Sequence, residues 1–592
     1  MQDESIKLES FTKRAFILTS GKIFLASILA FRLFDLQILK GSDMRRLAEL
    51  NKNKIIWLKP LRGRILDRSG LVMADNRTEY NLALDKEYLL EQNVDSKEVF
   101  ADLASILDWD HDSLDNAYHR YKATIVGKEM LVKDKLSRQE LLSLEFYSYK
   151  LPGFYIDNDY ERNYYYSSCT NIIGYVSSQD KNADTPDARL IKIGKTGIEK
   201  RFDSSLRGRL GYKEVEVDSR GVVKKERAVH AQENGLDLTL TISAPLQQKL
   251  HDAFAGQNGT AVIMEPDTGN ILALVSVPNY DANTITDGLS NKEWQKLTSD
   301  PGLPLINKAT AVVYPPGSVF KIVMALAFLE SGFDPKMQVH CSGAVHLGKN
   351  RFGCWKKEGH GTLDLEAAIE RSCNCYFYRM SELVGIERIN KYATILGLGQ
   401  KSFDDLPFVA KGLMPSSDWK RKKYKQSWTI GDSYNTSIGQ GFVLTSMLQL
   451  VVMLSRVITG NKIVPTLVAK ENILAKKTIE NLGFSQKNLE IIRNALYKVV
   501  NSEYGTARKF KAEAYEFYGK TGTSQVASKK GRNIDFSKDD IAWELKNHGL
   551  FLGGVKQGER NICMALLVEH LGAGVKTVPI AKEILEVVLN EV

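Results

Sequence analysis

The chain has 592 residues, too many for one hydrophobic core, and its 43% hydrophobic and 26% charged content marks a folded protein rather than a disordered one. The net charge of +9 is mild and spread along the chain, which argues against nucleic acid as a partner. Six cysteines over this length do not make a disulfide scaffold.

The first feature in chain order is an apolar run over residues 15–34, preceded by Lys7, Lys13 and Arg14 and followed by no small-residue cleavage site. About 20 residues suffice to cross hydrocarbon, and Lys22 and Arg32 can snorkel to the two interfaces. The pattern predicts a cytoplasmic tail at 1–14, a membrane anchor at 15–39 and the rest of the chain beyond it. Lys40, Arg45 and Arg46 on the far side weaken the charge rule for orientation, and an amphipathic soluble helix is the competing reading.

After the anchor, Arg62-Gly63-Arg64-Ile65-Leu66-Asp67-Arg68-Ser69-Gly70 reads as a turn leading into the alternating strand Tyr80-Asn81-Leu82-Ala83-Leu84. Residues 96–148 are charged and helix-leaning, as in an inserted head. Gly194-Lys195-Thr196 lacks the glycine spacing of a phosphate loop. Residues 343–349 imitate one, but Asn350 stands where a magnesium-binding Ser or Thr belongs, so neither reads as a nucleotide site. A boundary falls near Asn234-Gly235. Beyond it, residues 236–242 alternate, a helix starts near Ala244, and 261–266 with 271–275 form a hairpin about Asp267-Thr268-Gly269.

The chemistry is declared at Pro315-Pro316-Gly317-Ser318-Val319-Phe320-Lys321. A turn opens an apolar run, which predicts a buried helix with Ser318 and Lys321 in its first turn. Residues three apart share a helix face, and a helix N-terminus disfavours an added positive charge, so Lys321 is placed to be a neutral base beside Ser318. A serine so activated is an acyl-transfer nucleophile. Met324 and Phe328 read as core. Further strands at 515–518, 549–555 and 562–568, with a closing helix at 579–589, predict an α+β domain: a mostly antiparallel sheet flanked by helices.

Ser-x-x-Lys alone is a weak signal. Ser372-Cys373-Asn374 and then Lys520-Thr521-Gly522-Thr523 follow in order, and the three motifs together are a known signature of penicillin-binding proteins and class A β-lactamases. On these residues the chain resembles the penicillin-binding proteins. The 62–70 segment, Gly194-Lys195-Thr196-Gly197-Ile198-Glu199 and Leu206-Arg207-Gly208 resemble class B of that family, while Pro278-Asn279-Tyr280-Asp281 and Asn307 resemble the start of its transpeptidase domain. Trp428-Thr429-Ile430-Gly431-Asp432-Ser433, Asn435 and Ser437-Ile438-Gly439-Gln440-Gly441 resemble its elongation branch from rod-shaped Gram-negative bacteria.

The resemblance implies a non-catalytic, dimerisation-type pedestal of mixed α/β build at 40–235, with a head at about 96–148, and a transpeptidase domain at 236–592. It implies Ser318 as nucleophile, Lys321 as proton acceptor, Ser372 as proton relay and Asn374 as an amide ligand to substrate. Lys520 and Thr521 would hold a substrate carboxylate, and Gly522 would let the strand approach closely. Thr523 would contribute its hydroxyl, and its N–H with that of Ser318 would form the oxyanion hole. The implied partners are stem peptides ending in D-Ala-D-Ala, β-lactams, a SEDS-family glycosyltransferase and elongation-complex proteins. The implied location is the inner membrane, single-pass, with the catalytic domain in the periplasm. The septal transpeptidase shares every catalytic motif and is the near alternative; a non-enzymatic β-lactam sensor is the distant one. The long pedestal and the lack of a clean Glu-x-x-Leu-Asn segment set the β-lactamases aside.

Cys341, Cys354, His360 and Cys373 fall around the catalytic segment. Three thiolates and an imidazole make a closed tetrahedral zinc set of structural type, although the spacings are not those of a finger. If Ser372 and Asn374 face the cleft, Cys373 faces away from it. The elongation branch resembles this pattern, with a zinc site in the matching segment and Asp in place of some cysteines. A Cys341–Cys354 disulfide is the rival reading, while Cys169, Cys375 and Cys563 read as inert buried thiols.

Overall fold

The computed structural model describes residues 2–39, 53–124, 129–178, 190–217, 223–401, 403–469, 480–511, 515–526 and 543–591. Two compact units divide the chain: residues 1–60, 78–161 and 209–233 form the first, and residues 61–77, 162–208 and 234–592 the second.

The first unit holds a helix over Gln2–Phe34 and a three-stranded antiparallel sheet of Asn53–Leu58, Gly211–Val217 and Val223–His230. Among the described residues no helix is long and apolar enough to cross a membrane, so the expected span at 15–39 is not met there. Lys22 and Arg32 interrupt the apolar run. Lys40, Arg45 and Arg46 lie outside the described residues. The head consists of helices Ser96–Ile106, His111–Ala123 and Arg138–Phe146, each started by a side-chain cap from Asp95, Asp110 and Ser137. Its core gathers Leu82, Leu84, Phe100, Leu103, Tyr121 and Met130, all buried.

The second unit is built on a five-stranded antiparallel sheet. In chain order its elements are helix α1 (Ala244–Asp252), strands β1 (Gly259–Met264) and β2 (Ile271–Val277), and helices α2 (Lys321–Glu330), α3 (Asn374–Val384), α4 (Ser417–Tyr424), α5 (Ile430–Ser437), α6 (Met447–Thr459) and α7 (Gln486–Asn501). Strands β3 (Glu516–Ser524), β4 (His548–Gln557) and β5 (Arg560–Val568) and helix α8 (Val578–Glu591) follow; among the described residues, further short helices and two small two-stranded sheets lie between these elements. The sheet order is β2-β1-β5-β4-β3, which puts β3 at an edge.

Strands β1 and β2 are buried at every position, so they read as continuous apolar runs and not as alternating ones. The cause is a double cover: α1 packs with α8, while α2 and α6 pack with α7. At the far edge, buried Gln247 of α1 donates to Leu274 O (2.9 Å) and accepts from Leu274 N (2.8 Å), which satisfies backbone groups that an open edge would expose.

The 62–70 segment belongs to this unit, and its charges have named partners. Asp67 Oδ1 accepts from the Ser69 and Leu71 N–H groups at 2.7 and 2.9 Å, and its Oδ2 accepts from Ala244 N, the first residue of α1, at 3.1 Å. Arg62 and Arg162 both bind buried Glu199 at 2.7 Å, and Arg62 also reaches Asp203 at 2.8 Å.

Candidate active site

The apolar run after Pro315-Pro316-Gly317 forms a helix, but its first turn is tighter than the expected α-helix. Gly317–Phe320 make a 3₁₀ turn carrying Ser318, and α2 proper begins at Lys321. Gly317 has φ +58°, and a Cβ there would lie 2.4 Å from Thr523 O, so only glycine lets the nucleophile turn meet β3. Its N–H donates to Gly439 O at 2.9 Å, and a Cβ on Gly439 would stand 2.2 Å from Gly317 O. Ser318 is half-buried at the junction.

Lys321 is fully buried, and its Nζ donates to Ser372 O (2.9 Å), Ser372 Oγ (3.2 Å) and Asn374 Oδ1 (2.7 Å). Ser372 sits at φ +53°, a strained left-handed conformation that turns both its oxygens onto the lysine. Asn374 is the first residue of α3. Burial pulls the Lys321 ammonium down to about 8, which makes the amine a usable base near neutral pH.

Lys520-Thr521-Gly522-Thr523 lie within β3 and not at its end, with Lys520 opposite Leu552 and Thr523 opposite Gly549 on β4. Burial, and then the neighbouring Lys321, hold Lys520 well below its ordinary pKa; its Nζ donates to Thr521 O at 3.2 Å. Thr521 Oγ1 shares a hydrogen bond with Thr506 Oγ1 at 2.9 Å. The Thr523 hydroxyl accepts from Gly574 N at 3.0 Å, so its oxygen is engaged within the protein and its proton is left to donate. A Cβ on Gly522 would lie 3.1 Å from Pro316 O, so the residue packs closely against the nucleophile turn.

Sequence reasoning missed two supports. Gln440 Nε2 donates to Thr523 O at 3.1 Å, tying β3 to the Ser-Ile-Gly-Gln-Gly segment beneath the nucleophile turn. Buried Lys308 binds Glu569 at 2.6 Å, and Tyr314 OH donates to the other carboxylate oxygen at 2.8 Å, which fixes the approach to Pro315. The glycine-rich segment was a signal for the first. Nothing local announces the second, whose partners lie 261 residues apart.

The ligand atoms of Cys341, Cys354, His360 and Cys373 lie within 4.8 Å of one another. His360 Nδ1 is 3.6 Å from Cys341 Sγ and 3.5 Å from Cys354 Sγ, about the edge length of a tetrahedron with Zn–S near 2.3 Å and Zn–N near 2.0 Å. All six cysteines are free, so no Cys341–Cys354 bond forms. The Cys373 thiol belongs to this cluster, while the oxygens of Ser372 and Asn374 are bonded to Lys321. Cys375 is a buried thiol, as expected, and sits against Cys354 and Cys373, which push its pKa up and keep it protonated. Cys354 Sγ accepts from Asn374 N at 3.4 Å, which couples the cluster to the residue that holds Lys321.

This geometry, a buried amine between a serine turn, a Ser-x-Asn corner and an edge strand, has counterparts. Residues 259–586 match the penicillin-binding protein transpeptidase domain family, and residues 58–240 match the penicillin-binding protein dimerisation domain. The chain belongs to the class B penicillin-binding proteins and is a serine-type D-Ala-D-Ala transpeptidase. It is 31% identical to the peptidoglycan D,D-transpeptidase MrdA of Escherichia coli K12, over 99% of this chain and 95% of that one. A solved complex of penicillin-binding protein PBP2 and MreC from Helicobacter pylori superposes with TM-score 0.78 at 26% identity, covering 91% of this chain and 99% of that one. PBP2 of Pseudomonas aeruginosa in complex with WCK 5153 gives TM-score 0.66 at 26% identity, covering 90% and 97%. These likenesses favour the elongation branch over the septal enzyme and the sensor.

Proposed function

We propose that the protein cross-links peptidoglycan stem peptides during cell elongation through an acyl-enzyme on Ser318. The observation that carries the chemistry is the Lys321 amine, buried and held by Ser372 and Asn374 one turn after Ser318. Ser318 Oγ attacks the carbonyl between the two terminal D-Ala residues, and its proton passes to Lys321. The N–H groups of Ser318 and Thr523 receive the oxyanion, each worth about 3 kcal/mol of barrier. As the tetrahedral adduct collapses, the C–N bond breaks and the departing D-Ala amine takes a proton through Ser372.

The side-chain amine of a second stem then attacks the Ser318 ester. Its proton returns by way of Lys321, Ser318 regains its hydroxyl and a new amide joins the strands. Water in place of that amine gives carboxypeptidase turnover. Lys520 and Thr521 hold the terminal carboxylate, whose negative charge favours reprotonation of the depressed lysine. A β-lactam enters the same path, but its leaving nitrogen stays tethered and the ester persists.

Cys341, Cys354, His360 and Cys373 would hold one structural zinc, which would supply a cross-link bracing the Ser-Cys-Asn corner. The exposed Leu18, Ile23, Phe24, Leu25, Ile28 and Leu29 of the first helix support a single inner-membrane anchor with the catalytic unit in the periplasm. Partners are a SEDS-family glycosyltransferase and elongation-complex proteins; the PBP2–MreC complex supports a protein partner of this kind. The deciding experiment supplies purified full chain with un-cross-linked strands ending in D-Ala-D-Ala. Release of D-Ala with dimeric stems, both blocked by penicillin, is expected; absence of D-Ala release and of penicillin labelling would overturn the reading.

A further inference from the structure

Helix α4 and the loop after it read Trp419-Lys420-Arg421-Lys422-Lys423-Tyr424-Lys425-Gln426-Ser427-Trp428, a basic stretch interleaved with aromatics that the composition alone concealed. Two of its charges are neutralised within the fold: Lys420 by Asp432 and Arg421 by Asp418. Lys422, Lys423 and Lys425 are exposed and have no acidic partner among the described residues. Lys422 and Lys423 lie in the last turn of α4 and Lys425 caps it, where the helix dipole favours cations, so the cluster stands without an internal acid and is open to an external anion.

The aromatic residues form one platform. Trp419, Tyr424 and Trp428 converge on Phe442 with ring centroids 5.1, 5.4 and 6.5 Å away, and Lys423 Nζ lies 5.4 Å over the Trp419 ring and 5.6 Å over Tyr424. Tyr424 is 44% exposed, and Trp428 is pinned through Nε1 to Ser433 Oγ at 2.8 Å. The platform is joined to the catalytic cleft by a short, rigid path. Phe442 follows Gln440, which bonds Thr523 O, and Gly439, whose carbonyl receives the Gly317 N–H beside the nucleophile.

We infer that Lys422, Lys423 and Lys425, with Tyr424 and the ring platform, form a subsite beside the cleft for the polymer strand, a glycan made anionic by the free carboxylates of its peptide branches. The lysines meet carboxylates, and the ring faces meet the apolar faces of sugars. The inference rests on the transpeptidase reading and extends it, because a two-strand reaction needs a surface to retain a polymer that the small acyl pocket cannot hold. An anionic lipid surface has part of the same chemistry, but rings packed on Phe442 and, at Trp428, bonded to Ser433 are held in place and not free to enter a headgroup layer.

The test uses full-length protein in detergent, un-cross-linked peptidoglycan, the same polymer with its carboxylates amidated, and phosphatidylglycerol vesicles. The triple variant Lys422→Glu, Lys423→Glu, Lys425→Glu should bind the native polymer about tenfold or more weakly, as expected for losing three exposed charge contacts. The triple arginine variant should bind as the wild type does, and amidated polymer should bind wild type weakly. Tyr424→Ala should weaken binding further without altering its salt dependence. An unchanged melting transition in the glutamate variant assigns its loss to binding and not to folding. Undiminished binding by that variant, equal binding of amidated polymer, or loss of vesicle binding alone would each overturn the subsite. Failure of wild type to be acylated by penicillin would instead remove the underlying reading.

Discussion

The amide oxygen of Asn374 accepts a hydrogen bond from the Lys321 amine at 2.7 Å, while the backbone N–H of the same asparagine is held by Cys354 Sγ at 3.4 Å. The base and the cysteine cluster are therefore one bond apart on either side of a single residue. Metal analysis should find one zinc per chain. His360→Ala should lose it, lower the melting temperature and slow penicillin acylation severalfold, because Asn374 loses its brace. Zinc-free protein with unchanged acylation would separate the two sites.

Ser318→Ala should abolish covalent labelling by fluorescent penicillin, by at least ~10³-fold, with the fold intact. Lys321→Ala should lose labelling almost as fully, because an unassisted hydroxyl is a weak nucleophile at neutral pH. Gel fluorescence with circular dichroism reads both. Labelling that persists in Ser318→Ala would end the assignment.

The pH profile follows from the depressed Lys321. A lysine pulled down to about 8 by burial is protonated, and so useless as a base, below that pH, and neutral above it. The second-order rate of penicillin acylation should therefore climb about tenfold per pH unit up to roughly 8 and then level off. A flat profile from pH 6 to 9 would remove Lys321 as proton acceptor.

Gly317→Ala should nearly silence labelling while leaving global stability reduced by only about 1–3 kcal/mol, the cost of a strained left-handed residue. The clash is with backbone, since the added Cβ would lie 2.4 Å from Thr523 O. Wild-type labelling rates in this variant would show that the nucleophile turn and β3 separate without consequence.

Glu569→Ala leaves the fully buried Lys308 without its 2.6 Å partner and frees Tyr314. A loss of about 3–5 kcal/mol is expected for breaking one side of a buried pair. The double variant Lys308→Met, Glu569→Leu should recover much of it. Thermal melting of the full-length protein checks both, and equal melting of the single and double variants would refute the pairing.

How far the chain could be read ahead of its structure depended on how far apart the partners lie. Ser318 and Lys321 share one turn, and the Ser372 and Asn374 alternation needs only two residues, so local spacing exposes them. The alternation exposes a strand only at 515–518; pairing with β4 carries β3 on through Ser524, because cross-strand partners and not local pattern set its end. The left-handed Ser372 has no sequence signal, since no glycine or asparagine marks it. The Arg62–Glu199–Arg162 network joins residues 137 and 37 positions apart, and each looks from sequence like an ordinary surface charge. Cys375 is the buried, protonated thiol expected of it, but its place against Cys354, 21 positions away, has no local signal.

The contact of Gly317 with Thr523, and of Gly439 with Gly317, joins main chain to main chain, with no side chain available to trim. Antibiotic resistance at this target therefore has few routes through the nucleophile's own cradle, because any replacement there damages the enzyme along with its inhibitor site. Variants that survive a β-lactam should instead change side chains around the mouth of the cleft, where bulk or charge can discriminate a rigid bicyclic drug from a flexible peptide. Laboratory selection under drug should leave both glycines untouched.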